Sequence, residues 1–222
     1  MKFENTKVFN FEGALNGMRN PMNSWDKSDS QFAYDKTIIG ENDMKLAQKL
    51  IRAGSEHRKF MRQIFVSVDI TAPLFWWKEF DTYKVGTVRN SCSTMHKIHV
   101  KNFEQKDFTH YGIDEVGNFA KETFENILDT LEKLRVLFNE TKEKKYWRAI
   151  IEMLPDGYEM RATVTLNYEN LLGMCSKGQR RFHKQNEWSG KDYPNEDNFI
   201  SWARLLPYAQ EFIFIDEVIF NA

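Results

Sequence analysis

The stretch FVSVDITAPLFWWKEFDTY, residues 65–83, decides the fold class. Residues 65–70 alternate and are rich in Val and Ile, the period-two pattern of a half-buried strand. Ala72-Pro73 then predicts a helix start, because proline's missing N–H costs nothing in a first turn. That helix carries Leu74, Phe75, Trp76, Trp77, Phe80 and Tyr83. The same change of period recurs downstream: residues 161–167, RATVTLN, alternate as a strand, and residues 168–177 read as a helix. With strands and helices both present and no repeat or linker dividing them, the chain reads as one α+β domain.

The remaining chain fits around these two units. Residues 7–11 alternate as a strand, and residues 13–30, rich in Asn, Ser and Gly, read as loop. That loop carries Met18, Arg19, Met22 and Trp25, so it is either pinned by a buried tryptophan or faces a substrate through Arg19. Helices are predicted over residues 40–52, 117–139 (extending toward Trp147) and 146–154, the last ended by Pro155. Residues 184–198 read as polar loop. Residues 199–212 read as a helix that Pro207 kinks or splits, and residues 212–220 as an apolar tail of open type. No repeat or linker interrupts residues 1–222, so one domain is expected.

Composition narrows the function. The 222 residues carry 31 basic and 32 acidic side chains, a balance that argues against a whole-chain binder of nucleic acid. Hydrophobics at 41% and charges at 28% describe a folded protein, and 14% aromatics suit bulky pockets or subunit interfaces. No phosphate loop of the GxxxxGK or GxGxxG kind occurs. Cys92 and Cys175 form no CxxC pair, and no stretch approaches the 18 apolar residues of a membrane span. The expectation is a soluble cytoplasmic protein without membrane or nucleic-acid partners.

Three local features bear on chemistry. Cys92, His96 and His99 would share one face of a helix, but no fourth metal ligand is visible, so contact histidines are the plainer reading. Cys92 sits in the small polar run Asn90-Ser91-Cys92-Ser93-Thr94, where it is a nucleophile or, more simply, a packed small residue. Lys177, Arg180, Arg181 and Lys184 gather near a helix C-terminus. They are open to a solvated face, a phosphate or nucleotide site, or nucleic acid.

Three segments in order carry a resemblance: Glu56-His57-Arg58-Lys59-Phe60-Met61-Arg62-Gln63 before the strand and Ala72-Pro73; residues 82–96; and Leu154-Pro155 through Asn167 to Leu171. Together, over roughly residues 50–185, they resemble the flavin-dependent thymidylate synthases, also called thymidylate synthase complementing proteins. In that family RHRxxS precedes NExSxRY. Here the first falls on Thr82-Tyr83-Lys84-Val85-Gly86-Thr87, and the second on Asn90-Ser91-Cys92-Ser93-Thr94-Met95-His96, with one residue inserted near Arg89. Arg161, Thr165, Asn167 and Leu171 keep the third motif's spacing. Thr82, Met95, Ile151 and Gly178 stand where the family has arginines, and Ser91 where it has glutamate.

The resemblance implies a mixed sheet with flanking helices and a homotetramer. It further implies FAD at His57, Tyr83, Lys84, Thr87, Asn90 and Asn167, with NADPH and methylenetetrahydrofolate as co-substrates. It places Ser93 and Glu79 at the pyrimidine of deoxyuridylate (dUMP). Ser91, Arg148, Arg180 and Arg181 would bind that substrate, with Lys84, Arg89, His96, Lys97, Arg148, Arg180 and Arg181 available in place of the missing arginines. The implied activity is methylene transfer to dUMP with reduction through FAD. The alternatives are a non-catalytic homo-oligomer of the same fold that binds nucleotide or flavin, and a flavoenzyme for another pyrimidine nucleotide.

Overall fold

The chain enters as a strand, β1 (Lys2–Phe9), and turns at Asn10, whose φ of 69° lies in the left-handed region that asparagine tolerates. Helix α1 (Phe11–Arg19) follows, where the sequence predicts strand and then loop. Phe11, Ala14, Leu15 and Met18 are buried at i, i+3, i+4 and i+7, so the apolar stripe overrides the Gly and Asn content. The computed structural model describes residues 1–33, 36–180, 182–193 and 197–217. A short antiparallel pair, β2 (Gln31–Ala33) and β3 (Lys36–Ile38), sets Phe32 opposite Thr37. Helix α2 (Glu41–Arg52) is then started by Gly40 and by Asp29, whose carboxylate accepts the Asn42 and Asp43 N–H groups at 2.9 and 3.0 Å.

Strand β4 (Phe65–Pro73) buries Val66, Val68, Ile70 and Ala72 and carries straight into α3 (Leu74–Phe80). Pro73 is the extended residue before that helix rather than part of its first turn, and Tyr83 lies beyond its end. Strand β5 (Val88–Ser91) and the short α4 (Thr94–Lys97) come next, then α5 (Tyr111–Val116), α6 (Asn118–Thr141) and α7 (Lys144–Met153). Lys142, at φ 58°, ends α6, so Trp147 belongs to α7. Strand β6 (Glu159–Asn167) buries every second residue from Met160 to Leu166 and runs directly into α8 (Tyr168–Cys175). The chain closes with α9 (Lys177–Arg180), α10 (Asn186–Ser189), α11 (Phe199–Arg204) and α12 (Ala209–Phe212). Pro207 splits the last two, and α10 occupies a segment expected to be loop, because Trp188 there is fully buried. The main sheet is ordered β1-β4-β6-β5. The apolar tail expected over residues 212–220 begins within α12, and its part beyond Glu217 lies outside the described residues.

Two compact units divide the chain. The first comprises Met1, Thr71–Thr82 and Asn90–Ala162; the second comprises Lys2–Ile70, Tyr83–Arg89 and the described residues from Thr163 onward. In the first, Phe103, Phe108, Phe124, Leu131 and Ile150 form a core. There Trp77 donates from its indole N–H to the Met160 carbonyl at 3.0 Å. In the second, Phe11, Phe60, Tyr168 and Phe212 meet edge to face, and the Tyr168 hydroxyl donates to the Pro207 carbonyl at 2.6 Å. No helix of the described residues is long and apolar enough to cross a membrane.

Both expectations for residues 13–30 are overturned in this second unit. Trp25 is half exposed, its indole N–H on Asn20, so it pins nothing in a core. Arg19 is buried and donates from Nε to Asp43 at 2.6 Å, so it faces no substrate. Asp43 also accepts from the Ser28 and Ser30 hydroxyls at 2.7 and 2.6 Å. Burial pushes the Asp43 carboxyl up, but these hydrogen bonds and the guanidinium outweigh it and hold its pKa below the ordinary aspartate value.

Candidate functional site

Asn167 stands at the junction of β6 and α8, and the local chemistry explains the break. Its side-chain oxygen accepts the Asn170 N–H at 2.9 Å, while its own N–H donates to the Asn170 side chain at 3.1 Å. This reciprocal cap satisfies two backbone groups that a strand-to-helix switch would strand. The loop of residues 83–87 lies on this cap: Asn170 Nδ2 donates to the Val85 carbonyl at 2.6 Å. Gly86 follows at φ 79°, and a Cβ there would come within 2.9 Å of Asn167 Nδ2. Glycine takes that conformation without strain, and a side chain there would have to displace the Asn167 amide. Asn167 is 7% exposed, and its Nδ2 makes no hydrogen bond among the described residues. An open donor beside a bare glycine is a cradle suited to a polar ligand.

The second unit holds five of the expected flavin residues: Asn167, Tyr83, Lys84, Thr87 and His57. Thr87 donates to the Tyr83 carbonyl at 2.5 Å, and the Tyr83 hydroxyl accepts from Gln179 at 2.9 Å. Tyr83 lies edge-on to Trp188, which stacks on the buried His183 with ring centroids 4.4 Å apart. Lys84 is exposed beside Val85. His57 is exposed in a turn closed by its N–H on the Gly54 carbonyl. Beside it, Arg58 and Arg62 both grip Glu169 in the first turn of α8, Arg58 at 3.0 Å. Burial would raise the Glu169 carboxyl, but the two guanidiniums outweigh it and hold its pKa below the usual range. Two cations on one carboxylate leave a net positive charge at this helix start, which suits an anion such as a cofactor diphosphate. Sequence reasoning missed the pairing, since Arg58 and Glu169 are 111 positions apart.

Arg180 is less available than expected, because Glu217 pairs with it and also with Arg204. Lys177, at the head of the same basic run, has its backbone N–H on Asp216, so acidic residues from the chain's end meet this cluster. Arg181 lies outside the described residues.

The first unit holds the other expected residues. Asn90 and Ser91 are exposed at the end of β5. Ser93 starts α4, its hydroxyl oxygen accepting the His96 N–H at 3.1 Å, which leaves the hydroxyl hydrogen to donate elsewhere. Glu79 is half-buried in α3, and its carbonyl accepts from the Thr82 hydroxyl at 2.7 Å. Arg148 is exposed and pairs with Glu152 at 2.8 Å. Cys92 is exposed rather than packed, and it precedes α4, so Cys92, His96 and His99 do not share a helix. The described residues contain no cluster able to hold a metal ion.

A cleft of about 240 Å³ opens beside Ser93, lined by Cys92, Thr94, Lys97, Tyr158, Glu159 and Arg161 among others. Hydrogen bonding builds it: the Cys92 N–H donates to the Arg161 carbonyl at 2.9 Å, fixing the strand end against β6. Burial, above all, pushes the Tyr158 phenol up, so it is a neutral donor at neutral pH. Lys97 and Arg161 lie 64 positions apart in the sequence, and only the fold brings both to this cleft.

No family model and no curated protein matches the sequence. Solved structures do match the fold. A flavin-dependent thymidylate synthase, ThyX, from Helicobacter pylori, complexed with FAD and dUMP, superposes with a TM-score of 0.66 at 15% identity. The match covers 97% of this chain and 99% of that one. A second structure of the same enzyme with FAD and dUMP gives the same score and identity over 98% of its length. PolB, a UMP/dUMP methylase from Streptomyces cacaoi bound with 5-Br dUMP, gives 0.59 at 13% identity, covering 96% of this chain and 95% of its own. The chain has the fold of the flavin-dependent thymidylate synthases.

Proposed function

We propose that the chain is a divergent flavin-dependent thymidylate synthase that binds FAD and methylates dUMP. The observation that carries this reading is the Asn167–Gly86 cradle, an open amide donor beside a glycine whose positive φ would strain any side chain. It lies within a fold shared with two FAD and dUMP complexes and with a dUMP methylase bound to a dUMP analogue. The polar set fits the cofactor: the Asn167 amide, the Tyr83 hydroxyl, the cation of Lys84, and the positive ensemble of Arg58, Arg62 and Glu169 near His57. In this reading Asn167, Tyr83, Lys84, Thr87 and His57, all in the second unit, hold FAD.

FAD, when bound and reduced by NADPH, would pass on the reducing equivalents of the reaction. Ser93 donates its free hydroxyl hydrogen to a pyrimidine oxygen, which draws electron density from the ring. The Glu79 carboxylate orients the ring's N–H edge by accepting from it. Methylenetetrahydrofolate is the one-carbon donor and NADPH the reductant, and the assembly is a homotetramer.

The replaced arginines at Thr82, Met95, Ile151 and Gly178 favour a second reading, a non-catalytic flavin- or nucleotide-binding protein. FAD-loaded protein incubated with dUMP, methylenetetrahydrofolate and NADPH separates the two. Chromatographic appearance of thymidylate supports the synthase; bound FAD with no thymidylate supports the second reading.

A further inference from the structure

Three of the residues read as cofactor partners, Tyr83, Lys84 and Thr87, share one short loop that belongs to neither helix nor strand. Lys84, Val85 and Gly86 are exposed, so no burial holds the loop in shape. Thr87 closes it with the 2.5 Å hydrogen bond to the Tyr83 carbonyl, and two side-chain amides from the segment after β6 fix it in place. Asn170 Nδ2 donates to the Val85 carbonyl at 2.6 Å, and Gln179 Nε2 donates to the Tyr83 hydroxyl at 2.9 Å. Asn170 also holds the other half of the cradle. Its Oδ1 accepts the Asn167 N–H at 3.1 Å, and its own N–H donates to Asn167 Oδ1 at 2.9 Å. With Oδ1 on the cap and Nδ2 on the loop, the Asn170 amide cannot flip without losing both bonds. With Asn167 Oδ1 held in turn, Asn167 Nδ2 is left on the Gly86 side, where a Cβ would lie 2.9 Å from it and 3.1 Å from Asn170 Oδ1.

We propose that Asn170 is a positioning residue of the cofactor site: it sets the loop of residues 83–87 against the Asn167 amide, so that FAD meets a preformed cradle, with Gln179 as the second hold on the loop. The inference rests on the reading of this cradle as the flavin site. An exposed loop ordered only on binding would weaken the affinity by the entropy of its ordering, and the Asn170 bridge removes that cost beforehand.

The experiment uses the full-length protein with and without FAD. Asn170→Ser removes the donor to Val85. Asn170→Asp keeps an acceptor for the Asn167 N–H but turns a carboxylate oxygen toward the Val85 carbonyl. Asn170→Gln keeps an acceptor and a donor, and glutamine is a natural third residue of a helix cap. Hydrogen exchange of the flavin-free protein reads the loop, fluorescence titration reads FAD affinity, and visible circular dichroism reads the seating of the bound flavin. Asn170→Ser and Asn170→Asp should speed exchange across residues 83–87, weaken FAD about fivefold and alter the flavin dichroism. The effect of Asn170→Asp should persist at high salt, where repulsion between exposed charges is screened. Asn170→Gln should recover most of the affinity and the wild-type dichroism, and Gln179→Leu should act in the same direction as Asn170→Ser. Wild-type FAD affinity and dichroism in Asn170→Ser, despite a faster-exchanging loop, overturn the positioning role. Weakened FAD with unchanged loop exchange overturns it as well, because the effect then arises at the α8 cap alone. In both cases the synthase reading stands so long as the wild type binds FAD. A wild-type protein that binds no FAD overturns that reading and this inference with it.

Discussion

Asn167 caps α8 and, in the proposed reading, also donates to FAD, and two substitutions tell these roles apart. Its oxygen caps α8 through the 2.9 Å bond from the Asn170 N–H, and its Nδ2 is open beside Gly86. Asn167→Ala removes both. Loss of a cap costs about 1 kcal/mol, and at this chain length 1 kcal/mol moves Tm by about 2–4 °C. Asn167→Asp keeps an oxygen at the cap, where aspartate is as good as asparagine, so its Tm should stay within about 1 °C of wild type. It removes the amide donor and sets a carboxylate where the cofactor's polar edge is expected. Losing a neutral donor costs about 1 kcal/mol, or roughly fivefold in Kd, and repulsion of an anionic cofactor adds to it. Thermal scanning of the flavin-free proteins and fluorescence titration of FAD give both quantities. The expected pattern is Asn167→Ala weak in both and Asn167→Asp weak only in FAD affinity. An Asn167→Asp protein that binds FAD as wild type does would refute the assignment of Nδ2 to the cofactor.

Other consequences follow from the packing. Gly86→Ala should lower stability by about 1–2 kcal/mol from its positive φ alone, and should weaken FAD by displacing the Asn167 amide, both measurable in the same titrations. Arg19→Met leaves the Asp43 carboxylate buried with hydroxyl partners only, so chemical denaturation should show a loss of about 3–5 kcal/mol. The folded pKa of Asp43 lies below its unfolded value. Its contribution is therefore fully present above about pH 4 and lost as pH falls through the folded pKa. Acid unfolding monitored by circular dichroism should show a smaller pH dependence below about pH 4 in Asp43→Asn than in wild type. Native protein should present one reactive thiol to a disulfide reagent and two after unfolding, since Cys175 is buried and burial pushes its pKa up.

The readable parts of this fold were those set by neighbours in sequence. Val66, Val68 and Ile70, then Trp76, Trp77 and Phe80, announce a strand and a helix because each period is local. The helix at residues 11–19 was equally local, with its i, i+3, i+4, i+7 stripe, but Gly13, Asn16 and Gly17 concealed it. Arg19 could not be read correctly, since its partner Asp43 is 24 positions away and only folding brings them together. Trp188 was hidden in a polar stretch because its contacts are with Tyr83, His183 and Phe199. At the candidate site, motif spacing singles out Asn167, which the structure places at the β6–α8 junction, whereas no spacing announces the Glu169 grip of Arg58 and Arg62 or the shared cleft of Lys97 and Arg161. Charge can be counted in a sequence, but convergence of charges needs the fold.

The central claim is that a flavin and dUMP occupy this fold together. The visible spectrum of the purified protein supplemented with FAD, followed during titration with dUMP, tests it most directly. The account predicts a bound-flavin spectrum whose band shifts saturably with dUMP. A protein that retains no flavin after addition of FAD would contradict it.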